Sequence, residues 1–180
     1  MEITPIPLDG AALVDLKRIE DERGYFARAF CRQEFIDAGL EPLIEQANIA
    51  FNHKARTLRG LHFQLDEYAE TKLVRCHRGA IWDVIVDIRP ESETYLKWFA
   101  AELNEDNLTA MYVPRHFAHA YITLTDNAQV SYQVSTAYAP GHEGGMRWDD
   151  PAIGIDWPVQ PEVISPKDAV WPLLSEVNAR

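Results

Sequence analysis

The run Arg59-Gly60-Leu61-His62-Phe63-Gln64 places an arginine, a glycine and a histidine on a stretch with strand-like alternation. If Leu61 and Phe63 pack on one face, Gly60, His62 and Gln64 share the other. An imidazole there can remove a carbon-bound proton near neutral pH when the resulting carbanion is stabilised. The alternative is a histidine at the rim of a β-structure with no catalytic role. Tyr132 lies in a second alternating run, where Val130, Tyr132 and Val134 oppose Gln129, Ser131 and Gln133. Its phenol could donate a proton across a cavity, or it could be a core tyrosine with its hydroxyl tied off. His119 and Tyr121 should share a strand face, with His116 in the turn before them. Arg23, Arg59, Lys72, Arg75 and Arg78 could converge on one mouth and hold a phosphate group, although solvated strand ends explain them equally well. Asp168 follows Pro166, where a carboxylate can cap a short helical turn. Trp148, Trp157 and Trp171 offer either a nucleobase platform or a cover over apolar surface. A metal centre is disfavoured, because His53 and His77 do not form a compact ligand set with His62, and Asp66 and Glu67 could join it only through a fold contact.

The elements that must hold these groups are short. Residues 81–88 direct Trp82, Val84, Val86 and Ile88 to one side and Asp83 and Asp87 to the other, which predicts a half-buried strand. Further strands are expected over 45–51, 57–64, 71–77, 95–102, 109–113, 119–124 and 128–134, separated by turn-rich stretches. Such spacing predicts an all-β chain, an antiparallel barrel or sandwich, with one short helix near residues 32–38 ended by Gly39. Six of the eleven prolines fall between Pro140 and Pro172, so the tail should be a strap of turns with a short helical turn. Gly24 and Gly144-Gly145 are isolated turn glycines, and no phosphate-binding loop or solenoid repeat is visible.

The chain has 180 residues with 47% hydrophobic side chains, which fits one domain spanning 1–180. Seventeen basic against twenty-eight acidic residues give a formal charge of -11, which argues against a nucleic acid partner while leaving room for a small anion in a local basic pocket. Cys31 and Cys76 form neither a disulfide framework nor a CxxC pair, so a reducing compartment is expected. The start of the chain lacks the features of a secretory signal, and no run reaches the roughly 20 apolar residues that cross a bilayer. These features predict a cytoplasmic protein without a membrane partner.

Several blocks, in order along nearly the whole chain, resemble the dTDP-4-dehydrorhamnose 3,5-epimerase family. They include Asp21-Glu22-Arg23-Gly24, Gln46-Ala47-Asn48, Leu58 to Gln64, Lys72 to Cys76, Gly79 to Pro90, Tyr112-Val113-Pro114, Phe117-Ala118-His119, Arg147 to Pro158 and Pro166-Lys167-Asp168-Ala169. The resemblance implies a jelly-roll barrel of the cupin type with short peripheral helices, without metal or cofactor. It also implies a homodimer whose N-terminal segments help build the partner's site, and a nucleoside-diphosphate 4-keto-6-deoxyhexose as substrate. By position, His62 matches the family's general base, Asp168 the acid that orients it, Tyr132 the proton donor on the opposite sugar face, and Lys72 the residue near the 4-keto oxygen. Arg23, Arg59 and His119 match substrate or diphosphate contacts. Gln46, Asn48, Tyr138 and Glu143 match substrate-pocket positions, and Lys167 a nucleotide contact. The implied reaction inverts C3, C5 or both through an enolate; a 3,4-ketoisomerase-like enzyme and a non-catalytic nucleotide-sugar-binding barrel are the alternatives. Three departures bear on specificity: Arg28 stands where the family usually has a glutamate, Pro114-Arg115-His116 replaces Pro-Glu-Gly, and one residue is added between Asn48 and Leu58.

Overall fold

Short alternating runs become strands along most of the chain, and the computed structural model describes residues 1–177. In order they are β1 (Glu2–Pro5), β2 (Ala12–Asp15), β3 (Arg18–Asp21), β4 (Gly24–Ala27), helix α1 (Arg32–Asp37), β5 (Gln46–Asn52) and β6 (Thr57–Gln64). There follow β7 (Lys72–Arg78), β8 (Ala80–Asp87), β9 (Trp98–Asn104), β10 (Ala110–Val113), β11 (Phe117–Thr123) and β12 (Ala128–Val134). The tail adds β13 (Glu143–Gly145), β14 (Val163–Ile164), α2 (Pro166–Ala169) and α3 (Leu174–Val177). The expected central strands and the helix before Gly39 are present, whereas the four N-terminal strands and the two tail strands escape the alternation rule. Among the described residues no helix is long and apolar enough to cross a membrane.

One sheet runs β1-β2-β10-β7-β12-β5, and the other runs β13-β6-β11-β8-β9 with β14 also on β6. β3 and β4 form a separate hairpin. Among the described residues no strand of one large sheet pairs with a strand of the other, which corrects the expected cupin-type jelly-roll barrel to two open sheets. The physical reason lies at the edges: the edge of β6 that could have continued round is taken by β13 in antiparallel and β14 in parallel pairing, both from the tail. The mostly β content and the short helices remain as expected.

The sheets meet through one apolar layer. Val74, Cys76, Met111 and Val130 from the first pack with Ile81, Ile85, Leu103 and Phe117 from the second. On the outer face of the second sheet, Trp82, Val84 and Val86 pack with Leu61 and Ala120 and are covered by Met146, Ile153 and Trp157. β8 is therefore buried on both faces, not half-buried. Asp83 and Asp87 turn inward at 0% exposure on the face that carries Ile81 and Ile85 between the sheets, while the tail covers the opposite face, that of Trp82, Val84 and Val86, a cover that no local pattern in β8 encodes. Asp87 is held by Arg89, Ser92 and Thr94, which outweigh its burial and depress its pKa.

β6 and β11 approach so closely at Gly60 that a Cβ there would lie 2.5 Å from the His119 carbonyl oxygen, and Gly60 has φ +115. Gly60→Ala combines a left-handed backbone with a clash against main chain, so a stability loss of about 3 kcal/mol is expected. A chemical-denaturation midpoint indistinguishable from the parent's would contradict this.

Candidate active site

A cleft of about 840 Å³ opens between the sheets. β6 contributes Arg59, His62 and Gln64 to one wall, with His119 and Tyr121 of β11 beside them. The facing wall carries Gln46 and Asn48 of β5, Lys72 of β7 and Tyr132 of β12. Strand pleating selects them: His62 and Gln64 face the cleft while Leu61, just before them, enters the outer apolar cluster. Tyr132 likewise faces inward, while Ser131 points to the opposite side and bonds His77.

His62 meets its partner from the far end of the chain. Its Nε2 lies 2.6 Å from Asp168 Oδ1, and the His62 side chain is 43% exposed whereas that of Asp168 is 5% exposed. The sequence Ser165-Pro166-Lys167-Asp168 builds the helical turn α2, whose N-cap is Ser165, with the Ser165 hydroxyl accepting from the Asp168 amide. Asp168 is thus the capped residue and not the cap, which frees its carboxylate. Burial pushes the Asp168 pKa up, but the hydrogen bond and charge of His62 and the Gly60 N–H outweigh it, leaving the carboxyl below its ordinary value. A carboxylate on one ring nitrogen fixes the tautomer that leaves the other as an acceptor.

Opposite, the Lys72 side chain is only 10% exposed, and its Nζ lies 3.1 Å from Glu70 Oε1 and donates to the His62 carbonyl at 3.4 Å. The Tyr132 hydroxyl has no hydrogen-bond partner among the described residues. His119 pairs in register with His62 across β6 and β11 and sets its Nε2 2.7 Å from Asp83 Oδ1. Complete burial raises the Asp83 pKa, against the opposing influence of His119 and Lys72. Arg59 donates through Nε to Asn52 Oδ1 at 2.8 Å, and Asn52 donates to the Tyr121 hydroxyl. Burial pushes Tyr121 up to about 12.

The rim is a second polar cluster. The Tyr138 hydroxyl and Lys167 Nζ each donate to Glu143 Oε1 at 3.1 Å, while Gln46 Oε1 accepts the Tyr138 N–H. Its own backbone N–H, then Lys167, Gly141 and Tyr138, bring Glu143 from its ordinary 4.5 down to about 2. A depressed carboxyl contributes stability that is complete above its unfolded value and is lost as pH falls through its folded one. The thermal midpoint advantage of the parent over Glu143→Gln should therefore be constant above pH 4.5 and shrink between there and about 2. A difference independent of pH across that window would refute this account of the rim.

Four anticipated site residues lie elsewhere. Arg23 is 83% exposed and pairs with Asp21 on the β3-β4 hairpin, and Arg28 sits 3.6 Å from Glu34 at α1. Arg115 is bound by Glu41 and by the Ala69 carbonyl, and His116 is exposed in the turn before β11 at φ +59. Of the tryptophans, Trp148 and Trp157 pack edge to face over the second sheet, whereas Trp171 lines the cleft. Among the described residues no group of three or more His, Cys, Asp or Glu is arranged to hold a metal ion. The sequence reading overlooked Glu70 and Asn52. Glu70 stands two residues before Lys72, the spacing that puts two side chains on the same side of an extended segment, and that signal was available. Asn52 carried none, because its partners Arg59 and Tyr121 come from two other strands.

With this geometry in place, comparison with known proteins is decisive. The family model described as dTDP-4-dehydrorhamnose 3,5-epimerase matches residues 5–176. The chain belongs to that family. It is accordingly an isomerase-type enzyme. It is 43% identical over 166 residues to the dTDP-4-dehydrorhamnose 3,5-epimerase of Sinorhizobium fredii, covering 92% of this chain and 85% of the relative. A crystal structure of the Bacillus anthracis epimerase, solved with TDP and PPi bound, superposes with a TM-score of 0.93 at 35% identity, over 96% of this chain and 99% of that one. A 3'-monoepimerase from Streptomyces bikiniensis, solved with dTDP-quinovose, gives 0.90 at 31% identity, over 98% of this chain and 89% of the other. The epimerase family thus includes the chain, and the cleft between its sheets is the candidate site for its chemistry.

Proposed function

We propose that this epimerase-family chain inverts C3, C5 or both in a nucleoside-diphosphate 4-keto-6-deoxyhexose, with the dTDP sugar as the leading substrate. The observation that carries the reading is the opposition of walls: His62 on one sheet, paired with Asp168 from α2, faces Lys72 and Tyr132 on the other. The C4 carbonyl acidifies the hydrogens on C3 and C5. His62, oriented by Asp168, takes one of them as the C–H pair moves into the enolate, and Lys72 donates a hydrogen bond to the developing oxygen. Tyr132 delivers a proton to the same carbon from the other face. His62 then releases its proton to solvent and Tyr132 takes one back from solvent, so the cycle is redox-neutral and the new C–H carries a hydrogen of solvent origin.

The remaining cleft residues support the substrate's other parts. Arg59 and Lys167 suit the diphosphate and nucleotide, His119 the sugar, and Gln46, Asn48, Tyr138 and Glu143 the pocket rim. We read residues 1–180 as one domain that works as a homodimer. Ile19 at 65% and Phe26 at 66% exposure on the β3-β4 hairpin, with Ile49 at 71% on β5, form apolar surface that a second copy would cover. Arg23, on the same hairpin, would then reach the partner's cleft. Light scattering that gave only monomer would remove that assignment.

The test is proton NMR in deuterium oxide with dTDP-, CDP-, UDP- and GDP-linked 4-keto-6-deoxy sugars, following C3 and C5 separately. Exchange at both carbons supports the double epimerase, and exchange at one narrows it to a mono-epimerase. A carbonyl that migrates to C3 identifies the ketoisomerase alternative. Binding without exchange identifies the non-catalytic one.

A further inference from the structure

Lys72 has three N–H donors. One points to Glu70 Oε1 at 3.1 Å and one to the His62 carbonyl at 3.4 Å, so a third remains for a ligand in the cleft. The two charged side chains are 10% and 7% exposed, and Glu70 Oε2 has no partner among the described residues. A buried carboxylate with an orphan oxygen is costly to retain unless its position serves something. Its backbone is unusually well fastened. Arg115 donates to the Ala69 carbonyl and to Ser135 Oγ, and Ser135 Oγ in turn accepts the Thr71 N–H. Glu41 grips the same guanidinium at 2.8 Å. The segment 69–71 is thus clamped on both sides of Glu70, and Arg115, one of the departures from the family pattern, holds that clamp.

We propose that Glu70 is a positioning residue for Lys72, fixing the ammonium so that its remaining N–H meets the enolate oxygen. The proposal rests on the assignment of Lys72 given above. Glu70 need not touch substrate: its effect passes through the lysine. Removing it leaves a buried cation with one weak carbonyl contact and freedom to swing off line, which costs turnover and spares the contacts made by Arg59 and Lys167.

A double-mutant cycle tests this with dTDP-4-keto-6-deoxyglucose, reading kcat by solvent-deuterium incorporation and dTDP affinity by calorimetry. Lys72→Ala should lower kcat by about 10²-fold or more. Glu70→Ala should lower it by about 30-fold with unchanged dTDP affinity, and should add almost nothing once Lys72 is alanine. Glu70→Gln, which keeps an acceptor but no charge, should fall between Glu70→Ala and the parent. The unchanged dTDP affinity guards against misfolding. If Lys72→Ala is costly but Glu70→Ala is harmless, or its loss persists in full without Lys72, the positioning role is wrong and the lysine assignment stands. If Lys72→Ala leaves kcat intact, the lysine assignment falls and the positioning role falls with it.

Discussion

His62→Ala is expected to lower epimerisation by about 10³-fold or more while dTDP binds as before. The size of the effect follows from the absence of a substitute. On the His62 wall the nearest other imidazole is His119, which is 9% exposed with its Nε2 on Asp83, so it cannot turn to the carbon that His62 would serve. The fold should survive, because the His62 side chain is 43% exposed and Asp168 keeps its contact with the Gly60 N–H. Loss of one partner from a buried carboxylate should reduce stability by roughly 1–3 kcal/mol. Asp168→Asn should retain the shape of the pair and still lose about 10²-fold, since an amide no longer selects the reactive tautomer. Turnover within tenfold of the parent in His62→Ala would place the base elsewhere.

The parts of this site legible in the sequence are those set by local alternation. His62 and Tyr132 could be assigned to strand faces from their own neighbours, because a pleated strand sends every second side chain the same way. Asp83 shows where that logic stops. Its alternation with Trp82 and Val84 is plain, but the Asp83 face turns in against the other sheet and the opposite face is covered by Met146, Ile153 and Trp157 from the tail, neither of which a local pattern shows. Barrel closure is similarly a matter of which edge pairs with which, and period-two patterning is silent on that. Asp168 read as a cap because it follows a proline, yet Ser165 occupies that role and the carboxylate crosses to β6. β3 was hidden for the opposite reason: all four of its residues are exposed, so no buried face marks it.

Tyr132→Phe should separate two events that the parent couples. Abstraction by His62 and return of a solvent deuteron from the same face need no phenol, whereas inversion needs a donor on the other wall. Formation of epimer is therefore expected to fall by about 10²–10³-fold, while deuterium wash-in to unchanged substrate stays within about tenfold of the parent. Stability should shift by no more than about 0.5 kcal/mol, because the lost hydroxyl has no partner to strand. Tyr121 is the rival donor, lining the same cleft. It is badly placed to act as the acid, because burial pushes its pKa up to about 12 and its hydroxyl is engaged with Asn52. A parallel loss of exchange and inversion in Tyr132→Phe would mean that the phenol acts before the enolate forms. Retention of both would take the acid role from Tyr132.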